Sequence, residues 1–546
     1  MTIVDRRIEA MHRAGAGRAA GRLPALDNER DGARDAAGEI LAFARLRATP
    51  LSMALAVFAA IFCVFLFQSV APAFNEDDVV QAQKLAQPDM LPQGRWLYAF
   101  LYYVALGGNP APVISSAIGL GVLLAAALRQ AAFIGLSRNG ARLAFALVSC
   151  VSIYYEHLFS YDSARLIYPL ANLMVIWGVV RASASISLGA WSVAVGAFAL
   201  APAIYASALM YGATSVLVAA VAWTLRDRSP RRALVMAGKS LAAAALGMAT
   251  YAVVTDALYS TMGWELGYRA GVDPFAIATH WRTFLDLLST HSLALLTGAS
   301  SAYFPVAYHL LSGSAYAVCG WLLARRLRAS AAGAFAWSAM AATLVSPFCL
   351  IFISVDDQYL PRSLYAYATA QAGFFAIALD WLLASPRDRR AAAGVAAAIA
   401  AFIALNAVLI NQRAYDEWLA WQSDKSITER IIVRIDGLLA DADPDAEMFP
   451  PSRESAAGAP IPLAVFGISH WRAGPRGDIQ TIRLFRHSRE RVFSLLEPRF
   501  APATGPQRDS VRGMIDGRAP WPAAGSVFLA DGVVVVVLSD EGVDRW

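Results

Sequence analysis

The feature that most constrains this chain is the recurrence of apolar blocks about 20 residues long. Residues 51–70, LSMALAVFAAIFCVFLFQSV, contain no charged side chain, and an α-helix needs about 20 apolar residues to cross the hydrocarbon core of a bilayer. Charged residues make up only 16% of the chain, whereas about a quarter of the residues in a soluble protein are charged. The sequence therefore predicts a protein that crosses a membrane many times.

The number of blocks predicts an all-α polytopic membrane protein with about eleven transmembrane helices. The segment 92–108 is also apolar and aromatic but is short, so we predict that it lies in the membrane interface or re-enters the bilayer. The predicted spans are residues 51–72, 110–128, 141–158, 164–181, 186–201, 203–225, 233–255, 303–324, 331–353, 363–384 and 391–410.

The loop charges predict which side of the membrane each segment faces. With the N-terminus in the cytoplasm, basic loops such as RDRSPRR, ARRLRAS and SPRDRR fall inside, and the acidic or mixed loops NEDD and SVDDQYLPR fall outside. Short positive loops are retained in the cytoplasm, so the charges favour this orientation. It predicts a basic cytoplasmic tail over 1–48, a transmembrane domain over 49–410 and a periplasmic domain over 411–546 of a multi-pass protein in the bacterial inner membrane.

The retention of basic loops in the cytoplasm also explains the net charge of +5. The positive charge therefore does not require a nucleic-acid partner. No basic stretch is interleaved with exposed aromatic residues, as binding of a single strand would require. We therefore expect no nucleic acid among the partners, and we expect the lipid bilayer to be one.

The C-terminal residues differ in composition from the rest of the chain. YDEWLAWQSDKSITERIIVRIDGLLADA has apolar residues at helical spacing with charges between them. PLAVFGI and SVFLADGVVVVVLSD are typical of strands, and a proline-rich stretch separates them from the helix. These patterns predict a small C-terminal α/β domain.

An acidic triplet, Glu76, Asp77 and Asp78, follows the first predicted span. A carboxylate at the membrane edge can deprotonate an acceptor hydroxyl, and partial burial raises the pKa of a carboxyl group toward that of a useful base. Neighbouring side chains diverge by about 100° on a helix, so we expect one aspartate in the site and the other holding it or binding a cation. The alternative is a solvated loop that caps the next helix.

Arg95 and Trp96 stand in the motif QGRW. The planar guanidinium of an arginine suits bidentate binding of phosphate, and Gly94 allows the backbone to approach a head group closely. This combination predicts a site for a phospholipid-like carrier. The alternative is an arginine that extends to the interface for solvation alone.

Two other outer loops contain further candidates for binding the substrate or its phosphate. In YYEHLFSYDSARLIYP the histidine has no second ligand at metal spacing, which favours a hydrogen-bonding role, and the aspartate and arginine can pair at i, i+3. In SVDDQYLPRSLYAY the arginine after the proline is a second candidate for phosphate binding. These candidates are Glu156, His157, Asp162, Arg165, Asp356, Asp357 and Arg362.

Taken together, NEDD, QGRW, YLPRSLYAYATAQAGFF and the post-membrane helix NQRAYDEWLAWQSDKSITERIIVRI resemble a membrane-embedded GT-C glycosyltransferase. More narrowly, residues 50–470 are similar to the type II glucosyltransferases that decorate O-antigen in lipopolysaccharide. The resemblance implies a GT-C-like fold and transfer of a sugar, with glucose expected, from an undecaprenyl phosphate carrier on the periplasmic face.

The resemblance also implies Asp77 or Asp78 as the base and Arg95 or Arg362 near the phosphate. The acceptor would be a surface glycan or its lipid-linked precursor. The requirement for a divalent cation varies among GT-C enzymes, so the resemblance leaves the cofactor and any metal ligands open. The alternatives are a lipid or polysaccharide transporter, a glycan polymerase or ligase, and a noncatalytic scaffold.

Overall fold

The computed structural model describes most of the chain between Leu51 and Ser539. The described residues are 51–71, 90–108, 111–161, 163–184, 187–267, 276–289, 305–328, 330–352, 364–442, 460–467 and 489–539.

The described part is mostly helical, with a small sheet near its C-terminal end. Ser346–Phe352 and Pro386–Asp388 form 3₁₀-helices. The helices that precede the sheet are α1 (Leu51–Val70), α2 (Trp96–Ala99, continued by the π-helical stretch Phe100–Ala105), α3 (Pro112–Ile134), α4 (Asn139–Cys150), α5 (Ile153–Phe159), α6 (Ile167–Ala184), α7 (Leu188–Leu200), α8 (Pro202–Tyr205), α9 (Ala208–Asp227), α10 (Arg231–Met262), α11 (Ala276–Leu287), α12 (Val306–Leu327), α13 (Ala331–Val345), α14 (Ala366–Leu382) and α15 (Arg389–Ala442).

Among these residues, nine helices are long and apolar enough to cross a membrane. The prediction of a helical, polytopic membrane protein is therefore confirmed. Two predicted spans, 141–158 and 363–384, fall on helices too short to be counted among these nine. The first is divided into α4 and α5, and the second is the 17-residue α14.

The break between α4 and α5 has a specific partner on another helix. The backbone N–H of Ile153, at the start of α5, donates to Oδ1 of the buried Asn406 at 3.0 Å. A helix start leaves unpaired N–H groups, which are costly away from water. Asn406 satisfies one of them from α15.

Helix α14 lies in the middle of the bundle. Every residue from Ala366 to Leu382 except Trp381 is buried, and α14 packs against α4, α9, α12 and α15. A helix that is buried on all sides has no polar face, so its residues are mostly small or apolar, and its buried Gln371 and Asp380 have hydrogen-bond partners in the protein.

Helix α15 is much longer than one membrane span. Its 54 residues span about 81 Å at about 1.5 Å per residue, whereas the hydrocarbon core is about 30 Å thick. The last predicted span and the predicted post-membrane helix are thus one helix, which passes residue 410 without interruption. Its C-terminal part carries Ile431 and Ile435 into a second apolar core, under the sheet.

The C-terminal elements are β1 (Ile461–Phe466), α16 (Arg489–Leu496), β2 (Phe500–Pro502), α17 (Gly505–Arg512), β3 (Val527–Ala530) and β4 (Val533–Val537). The strand order is β2-β1-β4-β3; β1 is parallel to β2 and β4, and β3 is antiparallel to β4. The two-residue turn between β3 and β4, Asp531-Gly532, has positive φ at both positions, as a tight hairpin requires. The end of α15 and α16 cover one face of the sheet and α17 covers the other, so the predicted small α/β fold is confirmed.

Glycine lets α7 and α10 approach each other closely within the bundle. A Cβ added at Gly247 would lie 2.4 Å from Cβ of Phe198 and 2.9 Å from the carbonyl oxygen of Val195. Small residues at such crossings allow close backbone packing in membrane helices. Gly238, on the same helix, has no atom within 4 Å of that position.

We therefore expect Gly247→Ala to destabilise the bundle by about 1–3 kcal/mol, because the added methyl group forces α7 and α10 apart. Gly238→Ala is the matched control, and it should be neutral or slightly stabilising because alanine favours a helix more than glycine does. Thermal unfolding of both purified variants in detergent measures the difference. Equal melting temperatures would show that this crossing tolerates a side chain.

Candidate functional site

Arg95 stands on a short loop that helix α10 holds in place. Tyr251 Oη donates to the carbonyl oxygen of Gly94 at 3.0 Å, and Tyr259 Oη donates to that of Leu91. Gly94 has φ +74°, in the left-handed region that favours glycine. Two tyrosines of one helix thus fix the backbone on the N-terminal side of Arg95.

The guanidinium of Arg95 points toward aromatic rings. Its Nη1 donates to Tyr168 Oη at 3.2 Å and contacts the sulfur of Met90 at 3.6 Å. Its Cζ lies 5.2 Å from the centroid of the Tyr205 ring, within the range of a cation–π interaction. Arg95 is half-buried, so its side chain is held against α6 and α8 by these contacts.

Only one nitrogen of this guanidinium makes a hydrogen bond to the described residues. A guanidinium carries five N–H donors, and both polar contacts of Arg95 come from Nη1. Most of its donor capacity is therefore not used by the described part of the chain. An arginine with that capacity can bind an anionic group.

Trp96 anchors the same loop from its C-terminal side. Its Nε1 donates to Oγ1 of Thr255 on α10 at 3.1 Å, and its ring packs with Ala199, Ala203 and Tyr251. The predicted interfacial segment is a ten-residue helix, too short to cross the bilayer, that begins at Trp96. Trp96 therefore fixes the start of α2.

A line of tyrosine rings continues from Arg95 into the bundle. The centroids of Tyr168 and Tyr205 are 4.2 Å apart, and Tyr205 stacks on Tyr365 at 6.2 Å. Tyr365 Oη in turn donates to Oδ1 of Asn172 at 2.8 Å. Sequence reasoning missed these tyrosines, since nothing in their local sequence separates them from ordinary interface aromatics.

Glu156 belongs to a buried ion network. Its Oε2 lies 2.5 Å from Nε of Arg413, and the same nitrogen lies 3.3 Å from Oε1 of Glu417. Gln68, near the end of α1, donates to the backbone and side-chain oxygens of Glu156 at 3.2 and 3.4 Å. The described contacts of Glu156 are thus with protein groups, and its predicted role in head-group binding stays a prediction.

Arg165 is the second cation at this end of the bundle. It is only 1% exposed. Its Nε donates to the carbonyl oxygen of Phe159 at 2.7 Å, Nη1 donates to Oγ of Ser116 at 3.2 Å, and Nη2 donates to the carbonyl oxygen of Gln68 at 3.0 Å. All three nitrogens have protein partners, which ties α1, α3 and α5 together.

The two ends of the acid-bearing segment are fixed at the same place. Before the segment, Gln68 contacts Arg165; after it, Arg95 contacts Tyr168. Residues 165 and 168 are about one helical turn apart at the start of α6. The described residues on either side of the acidic triplet, Gln68 and Arg95, therefore both contact residues at or just before the start of α6.

Most of the predicted acids lie outside the described residues. For His157 the structure describes the backbone, within α5, and not the side chain. Among the described residues, no group of three or more His, Cys, Asp or Glu could hold a metal ion. The predicted site residues outside the described part are Glu76, Asp77, Asp78, Asp162, Asp356, Asp357 and Arg362.

No protein-family model matches this sequence, and no curated protein is detectably similar to it.

The ion network predicts a large effect of removing its shared cation. Arg413→Met would leave two carboxyl groups, of Glu156 and Glu417, buried without their counter-ion, which typically costs about 3–5 kcal/mol. Arg430→Met is the matched control on the same helix, because Arg430 is exposed and, among the described residues, bonds to the carbonyl oxygen of Ser426 alone. Thermal unfolding in detergent should show a large loss for the first variant and almost none for the second; similar losses would contradict the proposed energetic role of the network.

Proposed function

We propose that this protein is a GT-C-like glycosyltransferase of the bacterial inner membrane, with its N-terminus in the cytoplasm and its C-terminal α/β domain in the periplasm. It transfers a sugar from a polyprenyl phosphate carrier to a surface glycan or a lipid-linked precursor on the periplasmic face. The observation that carries this proposal is that Gln68, before the acidic triplet, and Arg95, after it, both contact residues at or just before the start of α6. A base and a phosphate-binding cation are thereby joined by one short stretch of chain.

Chain length limits how far the acids can lie from this place. Ala71, which directly follows α1, is the last described residue before the acids, and Asp77 is six residues later. Each extended residue spans at most about 3.6 Å. Asp77 therefore lies within about 22 Å of Ala71. This bound keeps the acids near the end of α1, and the proposal places the phosphate and sugar of the carrier between them and Arg95.

The reaction is a direct displacement at the anomeric carbon. Asp77 or Asp78 accepts the proton of the acceptor hydroxyl, and the hydroxyl oxygen forms the new bond to the anomeric carbon. The bond between that carbon and the phosphate oxygen breaks, and the polyprenyl phosphate leaves with the electron pair. Displacement from the opposite face inverts the anomeric centre.

Arg95 stabilises the charge that develops on the leaving phosphate. A preorganised donor is effective because it does not reorient during the reaction. Tyr168 and Tyr205 hold its guanidinium. Its backbone belongs to the loop that Tyr251 of α10 holds in place. The unused donors of Arg95 are available for two phosphate oxygens, as bidentate binding requires.

The proposed base is tested by Asp77→Asn together with Asp78→Asn. We expect this double variant to lose sugar transfer by the purified protein while it still binds the polyprenyl phosphate carrier, because the amide cannot accept the proton. Asp256→Asn, which changes an exposed acid in the last turns of α10, is the control and should keep sugar transfer. Undiminished transfer by the double variant would eliminate the proposed base, and a transporter would show no transfer in the wild-type protein either.

The proposed phosphate ligand is tested by Arg95→Gln and Tyr168→Phe. Removing a donor to a developing negative charge typically costs about 10²–10³ in rate, so we expect that loss in kcat for Arg95→Gln. Tyr168→Phe removes one hydrogen bond that orients the guanidinium, and we expect a loss of about tenfold. If both variants raise KM and leave kcat unchanged, Arg95 binds the donor without acting in the displacement.

A further inference from the structure

A groove opens at the opposite end of α10 from the candidate site. It encloses about 430 Å³ between the C-terminal ends of α6 and α9 and the first turns of α10. Arg232 in the groove and Thr255, the partner of Trp96, are 23 residues apart on one helix, which is about 35 Å. The groove is thus separate from the site around Arg95, and its ligand is independent of the proposed function.

One arginine of the groove is held in place by an aromatic ring. Cζ of Arg232 lies 4.3 Å from the centroid of the Trp223 ring, and its Nη1 lies 3.8 Å from a carboxylate oxygen of Asp227. At that distance the ion pair is longer than a hydrogen bond. The guanidinium of Arg232 is therefore stacked and oriented, with donors left for another acceptor.

The second arginine has even more donor capacity. Arg231 lines the same groove; its backbone N–H donates to Oγ of Ser229 at 3.3 Å, and its guanidinium makes no hydrogen bond or ion pair with the described residues. Two guanidinium groups and the single carboxylate of Asp227 give the groove a net charge of +1. A phosphodiester carries one negative charge and complements it.

Apolar side chains also line the groove, and they continue onto the exposed surface of α10. Val235 and Met236 line the groove below the arginines, and Leu234 and Val235 are each 53% exposed. Farther along the same helix Leu241 is 72% exposed. In a membrane-spanning helix such exposed apolar side chains face the acyl chains of lipids. The groove therefore has a polar end, at Arg231 and Arg232, next to a surface that suits a hydrocarbon chain.

We propose that this groove binds the head group of an anionic phospholipid, with its acyl chains along the exposed face of α10. The two arginines contact the phosphate, Trp223 supports one of them, and the apolar residues contact the upper part of the chains. Inorganic phosphate alone would leave the apolar part of the groove uncovered, which is why the whole amphiphile is the better ligand.

The chain supplies a matched control for this site. Arg389 and Arg390 form a second pair of adjacent arginines at the start of a long apolar helix, α15. They do not line the groove. A general attraction of anionic lipids to basic helix ends would act on both pairs, whereas the proposed site depends on Arg231 and Arg232.

Native mass spectrometry of the full-length protein in detergent tests the proposal, with phosphatidylglycerol and phosphatidylcholine of identical acyl chains as probes. We expect phosphatidylglycerol to bind about tenfold more tightly, since each basic residue near an anionic lipid contributes appreciably. Arg231→Gln with Arg232→Gln should abolish that preference. Arg389→Gln with Arg390→Gln should retain it.

Several results would overturn the proposal. One is equal binding of the two lipids to the wild-type protein. Another is an equal loss of the preference for phosphatidylglycerol in the two double variants. A third is thermal stabilisation by inorganic phosphate that matches stabilisation by phosphatidylglycerol, which would assign the groove to free phosphate. If the Arg231/Arg232 variant does not fold, Val235→Trp decides, because it fills the groove without changing its charge; retained preference in that variant overturns the proposal.

Discussion

The end of the bundle near the start of α6 depends on the burial of Arg165. A buried guanidinium is costly unless its donors are satisfied, and here each nitrogen finds an oxygen on a different part of the chain: the end of α5, the side chain of Ser116 and the backbone of Gln68. These bonds fix the C-terminal end of α1 against α3. Gly119 is part of this arrangement, because a Cβ there would lie 2.0 Å from the carbonyl oxygen of Arg165.

Helix α15 connects this arrangement to the C-terminal domain. Arg413 and Glu417 supply two of the charges that meet Glu156, and Asn411 donates to the carbonyl oxygen of Val64 on α1 at 3.0 Å. From Trp421, about one turn after Glu417, the same helix contributes to the core under the sheet. Since α15 is a single helix across this region, one continuous element reaches from the helical bundle into the core under the sheet.

Much of the fold is predictable from the sequence because the bilayer sets the length of each apolar block and strand propensity marks the valine run 533–537. Two features are not predictable in this way. The break before Ile153 depends on Asn406, more than 250 residues away, and the continuity of α15 depends on apolar residues that become buried only under the sheet. Local patterns contain neither piece of information.

The candidate site was predictable only in part, for the same reason. Sequence reasoning identified Glu156 and Arg165 as charges near the membrane edge, but their partners come from α1, α3 and α15. The tyrosines that hold Arg95 come from α6, α8 and α10. A charge in a loop is visible in a sequence, whereas the groups that satisfy it are visible only in the fold.

That difference separates the two arginines, which look alike in the sequence. Arg165 uses all three of its nitrogens within the protein and is almost fully buried, so binding a phosphate would require it to give up bonds that hold three helices. Arg95 uses one nitrogen with the residues that the structure describes, is half-buried and is oriented by aromatic rings. Because ligand binding is least costly where donors are already oriented and not yet satisfied, Arg95 is the stronger candidate to meet a substrate, and Arg165 holds α1, α3 and α5 together.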